Sequence, residues 1–190
     1  MTKHEASLDN AKISHAALRL AAAQGWSAVT LEAVAKAAKM PVAEIKQYFR
    51  SSADLALVIA ETIDREAFAG AGTVSETPHD RLFDLLMARF DVLQKHRKAI
   101  LSMAEAARYD QSLSCALARA TLAGIYRLIE AAKLEVPSRP VLAAGLMAVY
   151  GWAFFVWRRD ESRDMAKTMA AVDRALRWSG KAVTLLQRRA

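Results

Sequence analysis

Residues that interrupt helices or cross-link loops are scarce in this sequence. Its 190 residues include seven glycines, four prolines and a single cysteine, Cys115. One cysteine cannot form an intramolecular disulfide, and the shortage of glycine and proline disfavours a fold built from strands and tight turns. Alanine, leucine, arginine, methionine and glutamate, which are good helix formers, are abundant instead. The composition therefore predicts an all-α protein.

The groups that enzymes and metal sites require are also missing from the sequence. The four histidines are scattered, and neither Cys115 nor any carboxylate lies at metal-ligand spacing from them. There is no glycine-rich phosphate loop and no Gly-x-Ser-x-Gly nucleophile elbow. Cys115, between Leu113 and Leu117, is predicted to be a small buried hydrophobe rather than a redox sensor. We therefore expect no catalytic residues, no metal and no cofactor, and do not expect an enzyme.

Export signals and long apolar runs are not evident. The N-terminus lacks the charged-then-apolar layout of a signal peptide, so we expect a cytoplasmic protein. The longest apolar run extends from Pro140 to Trp157 and contains Gly145, Gly151 and Tyr150. A run of about 18 residues is marginal for a membrane span and more typical of a buried helix. We predict no transmembrane segment.

Positive charge is concentrated at the two ends of the chain. Residues 1–52 contain seven Lys/Arg against four Asp/Glu, residues 53–157 contain eleven against twelve, and residues 158–190 contain nine against four. A clustered excess of positive charge indicates a polyanionic partner more strongly than spread charge does. The basic N-terminal segment suits DNA phosphates, whereas the basic C-terminal segment needs a separate explanation.

Apolar residues recur at helical spacing in the first part of the chain. A first helix of about four turns is predicted between Ser7, a possible N-cap, and Gly25, a helix-terminating residue. A second helix is predicted over 30–38, with Thr30 as its N-cap and Glu32 in the first turn, where the helix dipole favours an anion. The predicted ends of both helices depend on hydrogen bonding and backbone conformation within a few residues.

The segment that follows predicts a turn and two more helices. Pro41 suits the first position of a new helix because the amide it lacks would be unpaired there. In that third helix Val42, Ile45 and Phe49 fall on one face and the polar residues on the others. A fourth helix over 53–69 ends in a small, flexible stretch up to Pro78, which is predicted to be a linker.

Two short helices joined by a tight turn suit DNA, because one helix fits the major groove while its neighbour crosses the backbone. The same pattern is also compatible with an ordinary helical hairpin. Several segments resemble the N-terminal sequence of TetR-type transcriptional regulators over roughly residues 8–60. They are Gly25-Trp26, Thr30-Leu-Glu-Ala-Val-Ala-Lys-Ala-Ala38 and Ile45-Lys-Gln-Tyr-Phe49, followed by Ser51 and Asp54-Leu55. The resemblance implies a TetR-like fold: a helix-turn-helix domain at 1–52, a connecting fourth helix at 53–69, and a C-terminal helical bundle at 70–190.

The resemblance also implies which residues contact DNA. The recognition helix would run from Val42 to Tyr48. Residues near base edges would be Pro41, Val42, Ala43, Glu44 and Gln47, and the phosphate or groove-rim contacts would be Thr30, Lys46 and Tyr48. Lys46 and Gln47 are also compatible with a merely solvated face, and Tyr48 with half-buried packing.

Three positions depart from the family pattern. Lys39 stands where the turn usually has Gly, Lys46 where an aromatic follows Ile45, and Ser52 where a phosphate-binding Lys opens the fourth helix. A non-Gly residue at positive φ is unfavourable by about 1 kcal/mol, so Lys39 is expected to strain the turn. Lys39 and Lys46 nevertheless supply positive charge to the predicted DNA surface.

The C-terminal half is predicted to be a bundle of helices near 79–95, 97–109, 112–133, 138–158 and 162–188. Adaptable and amphipathic side chains in it are candidates for the wall of an apolar ligand pocket, although each is also compatible with plain core. The candidates are Phe90, Met103, Tyr109, Tyr126, Trp152 and Phe155. The resemblance implies a homodimer paired through the last two helices, about 140–158 and 162–188.

The basic C-terminal end permits two interpretations. Intrahelical ion pairs with Asp160, Asp164 and Asp173 are the simpler one. The run from Trp157 to Arg174 also resembles the corresponding end of the TetR-like lipid-binding accessory proteins of ubiquinone biosynthesis. In that alternative a basic amphipathic helix would meet a membrane surface. Its contact residues would be Trp178, Lys181, Val183, Leu185, Leu186, Arg188 and Arg189.

Together these patterns predict a DNA-binding transcriptional regulator that binds a near-palindromic operator as a homodimer. The resemblance implies that the protein represses transcription and that a small apolar ligand releases or modulates this repression. The alternative is a lipid- or quinone-binding accessory protein that acts at a membrane surface.

Overall fold

The computed structural model describes residues 3–69, 77–134 and 138–187, with side chains over 10–69, 77–134 and 138–178. Across those backbone ranges it contains nine α-helices, two short 3-10 helices and no strand, which confirms the all-α prediction. The 3-10 helices are Trp26–Ala28 and Ser52–Asp54. The α-helices are α1 (Lys3–Gln24), α2 (Leu31–Ala38), α3 (Val42–Tyr48), α4 (Leu55–Ala69), α5 (Pro78–Lys95), α6 (Arg97–Ala106), α7 (Gln111–Ala131), α8 (Arg139–Trp157) and α9 (Ala166–Gln187).

The chain forms two compact units that alternate along the sequence. The first unit comprises Met1–Glu66 and Asp91–Thr121, and the second comprises Ala67–Phe90 and Leu122–Ala190. Helices α4, α5 and α7 therefore contribute residues to both units. The first unit contains the whole segment predicted to form the helix-turn-helix.

The core of the first unit is built on α1. Its small apolar face, which includes Ala16, Ala17 and Ala21, is buried, and small side chains let α2 and α6 approach closely. Gly25 ends α1 with a φ of 85°, a conformation that glycine adopts without steric cost, and this confirms its predicted role. Trp26, which follows Gly25, is buried.

The core of the second unit contains a cluster of aromatic rings. Phe90 stacks on Tyr150 at 5.6 Å between ring centroids, and Trp157 lies 6.3 Å from Phe90 and 5.3 Å from Phe154. The buried guanidinium of Arg89 lies 4.6 Å above the Tyr150 ring. Offset aromatic pairs of this kind each add about 0.5–1.5 kcal/mol beyond their area burial.

The last helix begins at Ala166, later than the predicted 162. Asp160, which is 1% exposed, accepts hydrogen bonds from the amide and the hydroxyl of Thr168, both at 2.8 Å. The Ser162 hydroxyl donates to the same carboxyl group. The side chain of Asp160 therefore holds residues 160–165 in a turn, and Met165 completes it at a φ of 52°. Because those residues cap the helix, they do not extend it.

Five other sequence expectations need correction or fall outside the described residues. Helix α1 begins at Lys3, before the predicted cap at Ser7, and α6 ends at Ala106 rather than 109. Cys115 is exposed, not buried. Most of the predicted linker, and the membrane-contact candidates Lys181, Val183, Leu185, Leu186, Arg188 and Arg189, lie outside the residues whose side chains are described.

Helix α8 is unusually apolar. Over 19 residues it has a mean hydropathy of 1.6 in its most apolar window, and 33% of that window is buried. By length and composition alone it is the one helix in the described ranges that is able to cross a membrane, a test that core helices of soluble proteins also pass. Its two faces differ: Leu146 and Trp157 are buried, whereas Val141 and Trp152 are exposed.

Candidate nucleic-acid interface

The turn between α2 and α3 is defined by its caps. The Thr30 hydroxyl accepts a hydrogen bond from the Ala33 amide at 3.1 Å, which confirms Thr30 as the N-cap of α2. Lys39 ends α2 in the left-handed conformation, at a φ of 56° and a ψ of 45°, as its place in a glycine position predicts. The Met40 amide donates back to the Ala35 carbonyl at 3.0 Å. Pro41 then precedes α3 as its N-cap, one position earlier than predicted.

Helix α3 has one buried and one exposed face. Ile45 is fully buried and Phe49, just after the helix, is 6% exposed, so these two side chains fix α3 to the first unit. Lys46, Gln47 and Tyr48 are exposed, and Tyr48 reaches 60% exposure. Four other predicted DNA contacts on and before the helix are also exposed: Lys39, Pro41, Val42 and Ala43. Glu44 is half-buried.

The exposure of Val42 corrects one expectation. Periodicity placed Val42 with Ile45 and Phe49 on the inner face, but its side chain is 38% exposed. A first-turn residue that is three positions before Ile45 lies near the edge of the buried face, where the neighbouring turn leaves it uncovered. The position is consistent with the base-edge role that the family resemblance implies.

An ion pair joins the two helices of the motif across their exposed surfaces. The Lys46 ammonium lies 2.6 Å from the Glu32 carboxylate, and both side chains are largely exposed. The hydrogen bond and charge of Lys46 lower the pKa of Glu32. This pair holds the Lys46 ammonium over the N-terminal turn of α2, a position that sequence analysis did not predict because the two residues belong to different helices.

A cleft of about 540 Å³ lies beside this ion pair, within the first unit. Thr30 and Lys46 line it together with Arg50 and Ser51, neither of which was predicted as a site residue. The Asp54 carboxylate accepts hydrogen bonds from the amides of Arg50 and Ser51 at 2.7 and 3.1 Å, so the backbone here is fixed. The Ser-x-x-Asp spacing is a capping signal that was visible in the sequence.

The six predicted ligand-pocket residues are divided between the two units. Phe90 is buried in the second unit and Met103 in the first. Four are exposed: Tyr109 at 82%, Trp152 at 53%, Phe155 at 46% and Tyr126 at 40%. Trp152 and Phe155 stack on one another at 5.8 Å, on the exposed side of α8. None of the six lines the cleft at Lys46, and a ligand pocket formed by them stays a prediction. Within the described residues, no three potential metal ligands form a cluster.

Comparison with known proteins gives a consistent result. Residues 13–59, which include all of α2 and α3, match the family described as bacterial regulatory proteins, tetR family. No curated protein sequence matches the chain significantly.

Two solved structures show the similarity over almost the whole chain. A TetR transcriptional regulator from Nitrosomonas europaea is 25% identical, covers 90% of this chain and 97% of its own, and superimposes with a TM-score of 0.68. A TetR transcriptional regulator from Rhodococcus sp. RHA1, 18% identical, covers 93% and 97% with a TM-score of 0.71 and shares the fold. Residues 13–59 are thus similar to the tetR family of bacterial regulatory proteins, and the chain as a whole shares its fold with TetR transcriptional regulators.

Proposed function

We propose that this protein regulates transcription by inserting α3 into the major groove of operator DNA while α2 crosses the phosphate backbone. The observation that supports the proposal best is the exposure of Lys46, Gln47 and Tyr48 on a helix whose opposite face is fixed by Ile45 and Phe49. A rigidly held helix with an exposed polar face is the element that reads base edges in helix-turn-helix proteins.

The exposed residues divide by their chemistry into base and phosphate contacts. Gln47 carries the amide that pairs with adenine in the major groove, and Val42 and Ala43 suit contact with thymine methyl groups. Thr30, Lys46 and Tyr48 present hydroxyl and ammonium donors to phosphates. Pro41, Glu44 and Lys39 flank these contacts. The Lys46 ammonium exchanges its Glu32 partner for a phosphate, or shares it, when DNA binds.

Replacement of Lys46 by Gln together with Tyr48 by Phe tests the phosphate assignment. We expect weaker binding to every duplex sequence and a salt dependence that flattens by about 1 in log–log slope per protomer, because one cation no longer displaces counterions. Arg119→Gln, which removes an exposed cation from α7 of the same unit, is the matched control. Affinity and slope equal to those of the control would exclude the assignment.

We propose further that two copies pair through α8 and α9. Large apolar side chains stay exposed on these two mutually packed helices, and the three on α8 share one face of that helix, as exposed apolar interaction surfaces require. They are Val141, Trp152, Phe155, Met169 and Trp178. Two-fold pairing presents two recognition helices to half-sites about one DNA turn apart, which fits a near-palindromic operator.

Sedimentation velocity tests the pairing with a charge placed in the apolar surface. Trp152→Glu is expected to yield monomers, whereas Tyr109→Glu, at a still more exposed aromatic in the first unit, is expected to leave dimers. A dimer that survives Trp152→Glu unchanged, or a wild-type monomer, would contradict pairing through this surface.

The proposal includes repression that is relieved by a small apolar ligand, in a cytoplasmic protein. Its support is the apolar, aromatic composition of the second unit, where Phe90, Tyr150 and Trp157 pack together, because pockets for apolar ligands are lined by side chains of this type. Such a ligand acts by binding one arrangement of the helices more tightly than the other. Binding of a selected operator in the presence of an apolar compound library tests this part, and no change with any compound would count against it.

A further inference from the structure

A second cavity in the first unit has a strongly cationic lining. It has a volume of about 670 Å³ and lies between α1 and residues 94–99, where α5 ends and α6 begins. Four permanent cations line it, and among the lining residues that the structure describes there is no carboxylate. The cations are Arg19, Lys95, Arg97 and Lys98. Like charges around one concave surface repel one another, so an anion placed between them is stabilised by all four.

Two histidines add to the same cavity. The rings of His15 and His96 face each other at 6.3 Å, and His15 Nε2 lies 2.9 Å from the Glu66 carboxylate on α4. Burial lowers the pKa of His96; the nearby Glu66 opposes this shift, while His15 and Lys95 reinforce it. A bound anion would act in the opposite direction and favour protonation of His96. Leu18, which is buried, gives the cavity an apolar floor.

We propose that this cavity binds a small, multiply charged anion that carries phosphate groups or several carboxylates. Its volume falls in the range of small-molecule sites, about 300–1,000 Å³. Guanidinium groups such as those of Arg19 and Arg97 bind phosphate and carboxylate in bidentate geometry. The occupant is a small anion rather than a DNA phosphate because no residue of α2 or α3 lines the cavity.

Anion binding here would act on the helices that support the recognition motif. Arg19 belongs to α1 and Lys98 to α6, so an anion held by both ties these two helices together. The same α6 carries Ser102, whose hydroxyl accepts a hydrogen bond from the Trp26 amide at 2.6 Å, just before α2. An effect of this site on DNA affinity rests on the proposed function, whereas the binding of the anion does not.

Calorimetric titration of the full chain with pyrophosphate and with citrate, at constant ionic strength, tests the site without DNA. We expect saturable binding of one anion per chain for at least one of the two, with acetate binding at least tenfold more weakly. Pyrophosphate alone would define a phosphate ligand and citrate alone a polycarboxylate, and either result supports the site. Arg19→Gln combined with Lys98→Gln should weaken binding at least tenfold, with Lys98→Gln alone intermediate and Arg119→Gln without effect.

The proposal is overturned if neither anion binds saturably or if the double variant binds as wild type does. It is also overturned if a random-sequence duplex displaces pyrophosphate and the double variant loses duplex affinity, because the cavity would then be a DNA contact. If the protein binds the anion but shows no sequence-specific binding to DNA, the proposed function is contradicted and the anion site still stands.

Discussion

Asp160 offers a direct test of how the start of α9 is held. Burial alone would raise the pKa of this carboxyl group, but hydrogen bonds from Ser162 and Thr168 outweigh burial and lower it from 3.8 to about 2. A difference of that size between folded and unfolded chains corresponds to about 2 kcal/mol of stability at neutral pH. Asp160→Asn removes the charge and is therefore expected to lower the free energy of unfolding by about 2 kcal/mol.

The pH dependence of this loss has a definite sign. Because the folded pKa of Asp160 is depressed, its stabilisation is fully present above the unfolded value of 3.8 and is lost as the pH falls toward 2. Urea unfolding of wild type and Asp160→Asn between pH 6 and pH 2 should show the difference shrinking to less than about 1 kcal/mol at the acidic end.

Glu161→Gln is the matched control, since Glu161 is exposed and adjacent. We expect this substitution to change stability by less than about 0.5 kcal/mol at any of these pH values. The argument would be refuted if Asp160→Asn cost no more than Glu161→Gln at pH 6. A large difference that stays constant down to pH 2 would also refute it, because packing and not charge would then be responsible.

Two further stability predictions follow from backbone geometry in the first unit. Lys39→Gly should raise the free energy of unfolding by up to about 1 kcal/mol, because Lys39 has a φ of 56°. Lys36→Gly inside α2 should instead lower the free energy of unfolding by about 1 kcal/mol. Urea unfolding measures both changes, and changes in the same direction would contradict the strain argument. Ser102→Ala should cost about 1–2 kcal/mol in the same assay, since it leaves the part-buried Trp26 amide without its acceptor, and Ser114→Ala at an exposed position of α7 should cost less than about 0.5.

The N-terminal motif was predictable from sequence because short-range backbone chemistry determines it. Thr30 caps α2 with its own hydroxyl, Gly25 takes a positive φ that other residues avoid, and Pro41 cannot continue a helix that precedes it. Lys39 was recognised as strained because it occupies a position at which the family has glycine. All four positions are decided by neighbours a few residues away.

Contacts between distant segments were not predictable in this way. Ser102 meets Trp26 across 76 residues, and Lys46 meets Glu32 between two helices. Helical periodicity gives the direction of each side chain on its own helix but does not give the partner helix. Residue types as common as Ser, Glu and Lys carry no signal that would pair them.

Helix α7 shows the same limit for burial. Leu113 is buried, but Cys115 follows it by two residues, which is about 200° around the helix, and is exposed. The small and apolar residues near Cys115 suggested that α7 is buried on all sides. Over residues 111–121, however, the buried side chains lie on one side of the helix only. Tyr126 further along the same helix is also exposed, although the adjacent Ile125 is buried. Pocket residues therefore cannot be assigned from sequence without knowing which side of each helix is buried in its unit.

Selection from a random-sequence duplex pool tests the central claim most directly. We expect enrichment of a near-palindrome with half-sites about one turn apart, bound at nanomolar affinity at physiological salt and with a steep salt slope. The variant Gln47→Ala should enrich sequences that differ at the base it contacts, while Arg119→Gln should enrich the wild-type site. Weak binding without sequence preference by the wild-type protein would contradict the account.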